Sequence, residues 1–280
     1  MEKAIKRYFP IFVLPTMIAF TLGFIIPFVE GVYLSFCKFT TVNDAKFIGF
    51  ANYAKVFADE TFVHAFWYTA AFTVVSVILI NVLAFAVALL LTKGFKGTNI
   101  FRTVFFMPNL IGGIVLGYIW QLLLNGILMN FSRTLTYSST YGFWGVIVLM
   151  CWQQIGYMMI IYIAGIQNIP GELIEAAEID GATKWQILKK VTIPMVMPSI
   201  TVCTFLTLTN SFKLFDQNLA LTNGEPSKMS EMLALNIFNT FYGRTGYEGV
   251  GQAKAVIFFI LVTVIALTQN YLTRRKEVQQ

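Results

Sequence analysis

The sequence predicts an all-α polytopic membrane protein with six transmembrane helices, on three observations. Of 280 residues, 57% are hydrophobic and only 12% charged, far from the balance of a soluble domain. The charges are segregated, leaving uncharged windows at 8–29, 65–92, 103–132, 134–171, 191–212 and 255–273. Each window can hold a spanning helix of about 20 residues. They are continuous and too long for tilted strands, and a lipid-facing segment must pair its own backbone, so helices are favoured over a barrel.

The elements follow in order. A basic start, Met1–Arg7, leads into an apolar run longer than a secretory signal core and without a small-residue cleavage site, so helix 1, at 10–36, is expected to be retained. Helices 2 to 6 are expected at 63–92, 102–125, 142–166, 192–216 and 250–273. Outer loops fall at 37–62, 126–141 and 217–249; the last, rich in Gly, Asn and Pro, is expected to be irregular. Inner loops are short except 167–191. No internal repeat or low-complexity tract is visible, so residues 1–280 are expected to form one membrane domain.

With both ends inside, the inner segments hold Lys3, Lys6, Arg7, Lys93, Lys96, Arg102, Lys184, Lys189, Lys190, Arg274, Arg275 and Lys276, a majority of the 20 basic residues and the ones crowded nearest the span ends. This predicts an N-in, C-in orientation. The net charge of +6 then reflects topology, and no basic patch interleaved with aromatics suggests nucleic acid. Cys37, Cys151 and Cys203 have no metal-ligand spacing and are expected to pack. His64 has no partner for a metal or catalytic role, and Glu30 is expected at the interface. The chain therefore offers no nucleophile–base or metal constellation for an intramembrane enzyme.

The 167–191 loop has its own pattern. Pro170 can open a helix, Glu172 and Glu175 suit its positive end, and Gly181 supplies a stop, giving a helix at about 171–180. Leu173, Ala177 and Asp180 share a face, as do Ile174, Ala177 and Gly181, so small residues adjoin apolar anchors. A second short helix, 183–190, carries Trp185 and Leu188 before Pro194 restarts the chain. Two readings fit: a docking element for a soluble partner, or an amphipathic helix resting on the headgroups.

Glu175-Ala176-Ala177, then Gly181, Val191 and Ile193-Pro194 resemble, with conservative changes and intact spacing, the cytoplasmic signature of permease subunits in binding-protein-dependent ABC importers. Phe212-Lys-Leu-Phe215-Asp216 with Leu221-Thr-Asn-Gly-Glu-Pro226, and Gly49-Phe-Ala-Asn-Tyr53, are similar to segments of maltose-type sugar permeases, and the likeness covers nearly the whole chain. Glu225 departs from it, where that loop usually has a second Gly. The resemblance implies a type I ABC importer permease fold in a bacterial cytoplasmic membrane. It also implies a second, homologous permease subunit, two copies of an ATP-hydrolysing subunit that carry ATP and Mg, an extracytoplasmic solute-binding protein and a sugar substrate. Glu175, Ala176, Ala177, Asp180, Gly181 and Trp185 would meet the ATPase. No Gly-x-x-x-x-Gly-Lys-Ser/Thr loop occurs in this chain, so no nucleotide cofactor is expected on it.

Met150, Gln153, Gln154 and Tyr157 stand at i, i+3, i+4 and i+7 on helix 4, and Thr207, Asn210, Ser211 and Leu214 at the same spacing on helix 5. The resemblance implies cavity lining for all of these except Asn210, which spacing adds. Amides and hydroxyls meet sugar hydroxyls, and an aromatic ring covers a pyranose face. The alternative is that these groups bond neighbouring helices, at about 0.6 kcal/mol per contact. Lys213 and Asp216 are candidates for a local ion pair. An ion-coupled sugar carrier is the rival function, but no Asp or Glu falls mid-span to couple an ion. Neutral oligosaccharide is the leading substrate class, with polyols and glycerol-phosphate conjugates still open.

Overall fold

The computed structural model describes residues 2–94 and 96–274; Arg275 and Lys276, counted above for orientation, lie outside them. Helix α1 (Glu2–Phe20) passes through a π turn, Thr21–Ile25, into α2 (Ile26–Leu34). A two-stranded antiparallel ribbon follows, β1 (Cys37–Lys38) and β2 (Lys46–Phe47), then α3 (Ala51–Phe57). Next come α4 (Glu60–Leu91), α5 (Thr98–Phe106), α6 (Gly113–Met129), α7 (Ser139–Gln167), α8 (Gly171–Ile179) and α9 (Lys184–Ile187). A second π turn, Leu188–Thr192, leads to α10 (Ile193–Met195) and α11 (Met197–Phe212), and then α12 (Asp216–Leu221), α13 (Leu233–Gly243) and α14 (Glu248–Arg274) complete the order. Both π turns lie just upstream of a proline, Pro27 and Pro194. The ring lacks the N–H that the carbonyl four residues back would accept, and the ladder widens there.

Four stretches are long and apolar enough to span a bilayer, Ile11–Leu34, α4, α7 and α14, and two bent pairs make six if each counts as one span. The bends correct two expectations. The helix expected at 102–125 tightens into a 3-10 turn at Met107–Leu110, breaks at Ile111–Gly112 and turns by 102°. Pro108 and the Gly112-Gly113 pair remove a donor and the backbone stiffness a straight helix needs. The helix expected at 192–216 does not restart at Pro194. It runs unbroken from Lys184 to Met195, bends by 69° at Val196 before Pro198, and ends at Phe212. The 217–249 segment, expected to be irregular, contains α12 and α13. Asn218 staples the intervening turn, donating to the Ser230 carbonyl at 2.8 Å and accepting from the Met232 N–H at 2.9 Å.

Contacts group the chain into two compact units, residues 1–60 with 237–260, and 61–236 with 261–280. In the first, Leu34, Cys37 and Phe39 form a small core packed by Phe241. Asn52 closes it, donating to the Ser35 and Cys37 carbonyls at 2.9 and 2.8 Å. Lys254 is fully buried here and pairs with Asp59 at 2.7 Å while donating to the Thr240 hydroxyl at 2.8 Å. The Thr40 and Thr41 N–H groups each donate to Asp44 at 2.9 Å, which holds its carboxyl below the ordinary range.

The second unit is built around α7. Of its most apolar window, 67% is buried, against 28% for α4 and none for Ile11–Leu34. Phe72, Ile80, Ala84 and Ala88 of α4 and Cys203 of α11 belong to the same core as Ile147, Met150, Met158 and Tyr162 of α7. At Gly156 a Cβ would overlap the Phe105 carbonyl and stand 2.8 Å from the Phe106 nitrogen. Only glycine lets α5 lie backbone-on-backbone against α7.

Candidate functional site

The two faces predicted from spacing meet only in part. A cavity of about 310 Å³ is lined by Met150 and Gln154 of α7, Asn210 of α11, and Leu214, Asp216 and Gln217 around the α11–α12 junction. Four of the eight predicted residues, Met150, Gln154, Asn210 and Leu214, thus share one wall. Leu214 reaches it from a turn rather than from the expected helix, because α11 ends at Phe212. Lys213 is exposed and Asp216 half-buried; among the described residues Lys254 pairs with Asp59, and the expected Lys213–Asp216 pair does not form.

The other four stand off this wall. Gln153 is committed to the protein, donating to the Ile111 carbonyl at 3.4 Å and accepting from Gln217 at 2.8 Å. It satisfies a carbonyl freed by the break between α5 and α6. Thr207 is fully buried, donates to the Cys203 carbonyl at 2.7 Å and meets the Asn81 amide at 3.3 Å; Asn81 in turn accepts from Tyr162 at 2.7 Å. Tyr157 is half-buried, its ring centroid 6.4 Å from that of Phe106. Ser211 is buried and its hydroxyl has no partner.

Gln154 is different. It is 8% exposed, lies on the cavity wall, and its Oε1 is buried without a hydrogen bond. A buried acceptor left open costs free energy, and Gln154 is a polar side chain on the cavity wall that is not committed to a bond within the protein. Gln217 and Asn81 were missed from sequence. Asn81 carried a signal, a polar amide in the middle of an apolar span; Gln217 carried none, since its segment read as loop.

The 171–192 element forms as its residues dictate. α8 starts after Pro170 and ends in a left-handed turn at Gly181, φ +76°. There Gly181 N–H bonds the Glu178 carbonyl at 3.0 Å and Ala182 N–H the Ala177 carbonyl at 2.9 Å, a Schellman closure. Thr183 then caps α9: its N–H donates to Gln186 Oε1 at 2.7 Å while its hydroxyl accepts from Gln186 N–H at 3.4 Å. Glu175, Ala176, Asp180 and Gly181 are exposed and Ala177 half-buried. Ile179 is 86% and Trp185 69% exposed, so large apolar side chains stand in the open on either side of the turn. Ala177, Asp180 and Gly181 also line a shallow hollow of about 250 Å³ with Gln186 and Lys190.

Known proteins share this sequence and this fold. The family described as "Binding-protein-dependent transport system inner membrane component" matches residues 80–278. The chain is 41% identical over 278 residues to the "probable starch degradation products transport system permease protein" AmyD of Thermoanaerobacterium thermosulfurigenes, covering 96% of this chain and 94% of that one. It is 28% identical to the multiple sugar-binding transport system permease protein MsmF of Streptococcus mutans, covering 99% of each. Its fold is similar, with a TM-score of 0.83, 23% identity and 98% coverage of both chains, to a chain of a bacterial ABC transporter that imports the acidic polysaccharide alginate.

Proposed function

Because the chain belongs to the family of binding-protein-dependent transport system inner membrane components, we propose that it is the membrane-spanning permease subunit of an ATP-driven sugar importer. It is a transporter subunit and not an enzyme. It lies in the membrane with both ends inside, which puts α8 and α9 on the cytoplasmic face. It pairs with a second, homologous permease; two copies of an ATPase subunit supply the ATP and Mg chemistry, and an extracytoplasmic solute-binding protein delivers the sugar.

The observation that carries this reading is the exposed α8–Gly181–α9 element. A headgroup-resting helix would turn its apolar residues one way into lipid. Here Ala177, Asp180 and Gly181 line a hollow with Gln186 and Lys190, while Ile179 and Trp185, before and after the turn, stay exposed, a surface suited to receive another protein. When ATP draws the two ATPase subunits together, their grip on this element favours one permease geometry over the other, and that differential affinity is what moves the subunit between inward- and outward-facing states. The cavity at Gln154, Asn210 and Leu214 is the point on the path where sugar is held. Its charged neighbours are one exposed lysine and one half-buried aspartate, which suits a neutral oligosaccharide better than an acidic one.

Gentle detergent extraction of the tagged chain from its host, with mass spectrometry of what copurifies in fixed ratio, tests the assembly. A second permease and two copies of a phosphate-loop ATPase, with uptake of sugar into proteoliposomes that requires ATP, is the expected result. A chain that purifies alone and moves sugar on an ion gradient would overturn it.

A further inference from the structure

Beyond the path of the sugar, a second polar cavity lies where α4 gives way to α5. The chain leaves α4 at Leu91 and turns through Gly94 and Gly97, both in the left-handed region at φ +72° and +91°. It enters α5 at Thr98 with glycine as the N-cap, so no side-chain oxygen occupies the cap. The turn leaves a cavity of about 460 Å³ lined by Thr92, Thr98, Asn99, Arg102 and, from the end of α7, Gln167.

Arg102 is the unusual member. Its Nε is shut away from solvent and has no hydrogen-bond partner, and its Nη2 reaches the Leu91 carbonyl only at 3.5 Å. A guanidinium carries five N–H donors in a fixed fork, and buried donors are almost always paired. Arg102 is half-buried, lines the cavity and makes this single long bond to the chain, so its fork keeps N–H donors for an acceptor that the chain does not supply. The charge nearby has one sign. Lys93 and Lys96 are exposed on the same turn, no Asp or Glu lines the cavity, and none occurs in the sequence between Glu60 and Glu172. The start of α5 adds the partial positive charge of a helix end. Water or a neutral hydroxyl could take one N–H bond, but neither would use this concentration of positive charge.

We propose that this cavity binds a phosphate group with Arg102 as its principal ligand. Its source is either the phosphodiester of an anionic lipid headgroup or a small free phosphate ester. A lipid fits the setting: the cavity sits at the end of an apolar helix of 32 residues, and Leu90 and Ile100, 57% and 69% exposed beside it, offer apolar surface to acyl chains. Basic pockets between helix ends are the usual seats of such headgroups.

The test is the thermal unfolding midpoint of the protein, purified in neutral detergent, titrated separately with dihexanoyl phosphatidylglycerol, dihexanoyl phosphatidylcholine, glycerol 1-phosphate and inorganic phosphate. The expected result is a saturable rise whose half-saturation concentration increases about tenfold or more in Arg102→Gln, the size of a lost charge-assisted bond, and less in Arg102→Lys. A rise with phosphatidylglycerol alone assigns the cavity to lipid; an equal rise with the two soluble phosphates assigns it to a free ester. If no anion gives a saturable rise, or Arg102→Gln responds as the wild type does, the proposal fails. Should Arg102→Gln not fold, the wild type decides: equal responses to phosphatidylglycerol and phosphatidylcholine, with none to either soluble phosphate, overturn it.

Discussion

Gln217 donates its amide to Gln153 Oε1 at 2.8 Å, tying α12 to the central helix α7 directly beside Gln154, whose own Oε1 is unpaired. Two adjacent glutamines on one helix thus have separate work, one holding the cavity wall together and one facing into the cavity.

This separation predicts opposite phenotypes. Gln217→Leu leaves Gln153 Oε1 buried and unpaired and should lower stability by about 1 kcal/mol, with a smaller further loss in the Gln153→Leu/Gln217→Leu double variant. Gln154→Leu removes no bond within the protein and relieves an unpaired buried acceptor, so its unfolding midpoint should hold or rise while sugar uptake falls. Unfolding curves and uptake on the same preparations check both.

Gly156 and Gly126 should respond to alanine with opposite signs. Gly156→Ala drives a methyl into the Phe105 carbonyl and should cost about 3 kcal/mol as α5 is pushed from α7. Gly126, exposed within α6 with nothing near its missing Cβ, should gain about 0.5–1 kcal/mol from the same change. Detergent-resolved thermal melts read the difference.

In the first unit the buried pair of Lys254 and Asp59 should be lopsided. Asp59→Asn takes the carboxylate from an ammonium that is 0% exposed, whereas Lys254→Met leaves a carboxylate that is 18% exposed and within reach of water. The aspartate change should cost about 3–5 kcal/mol and the lysine change less, as measured by unfolding midpoints of the two variants.

The spans were legible because the bilayer demands long apolar runs, and charge placement around 93–102 and 184–190 bounded them. The bends were not. Pro108 and Pro198 are visible in the sequence, but a proline in an apolar run fixes only where a helix is weakened. Whether it turns by 102° depends on what packs against it, here α7 with Gly156 in its face. The α8–α9 element was legible almost residue by residue, because its caps are local: Pro170, Gly181 and the Thr183–Gln186 box form within a few residues of chain. The cavity was half legible. Helical spacing placed Met150 and Gln154 together, but it could not show that α11 ends at Phe212, that Thr207 bonds Asn81, or that Gln217 folds back to engage Gln153. Those depend on partners tens of residues away or more.

Gly181 separates backbone from surface. At φ +76°, alanine costs about 1 kcal/mol in a left-handed turn, so Gly181→Ala alone confounds strain with contact. Asparagine tolerates that conformation and projects a side chain into the open space at this position. Gly181→Asn should therefore keep the turn and the unfolding midpoint yet lower the sugar moved per ATP hydrolysed. A midpoint that falls with uptake in both variants would place the effect in folding.

The most direct test of the α8–α9 element as the point of coupling is photocrosslinking in the living cell from a photoreactive residue in place of Ile179, the 86% exposed last residue of α8. The expected product is a single protein adduct with an ATPase that carries a phosphate-binding loop, absent when the same residue replaces Leu122 on the exposed apolar face of α6. Adducts with lipid alone would mean that the helix lies on headgroups, and the ATP-driven account would fail at its central joint.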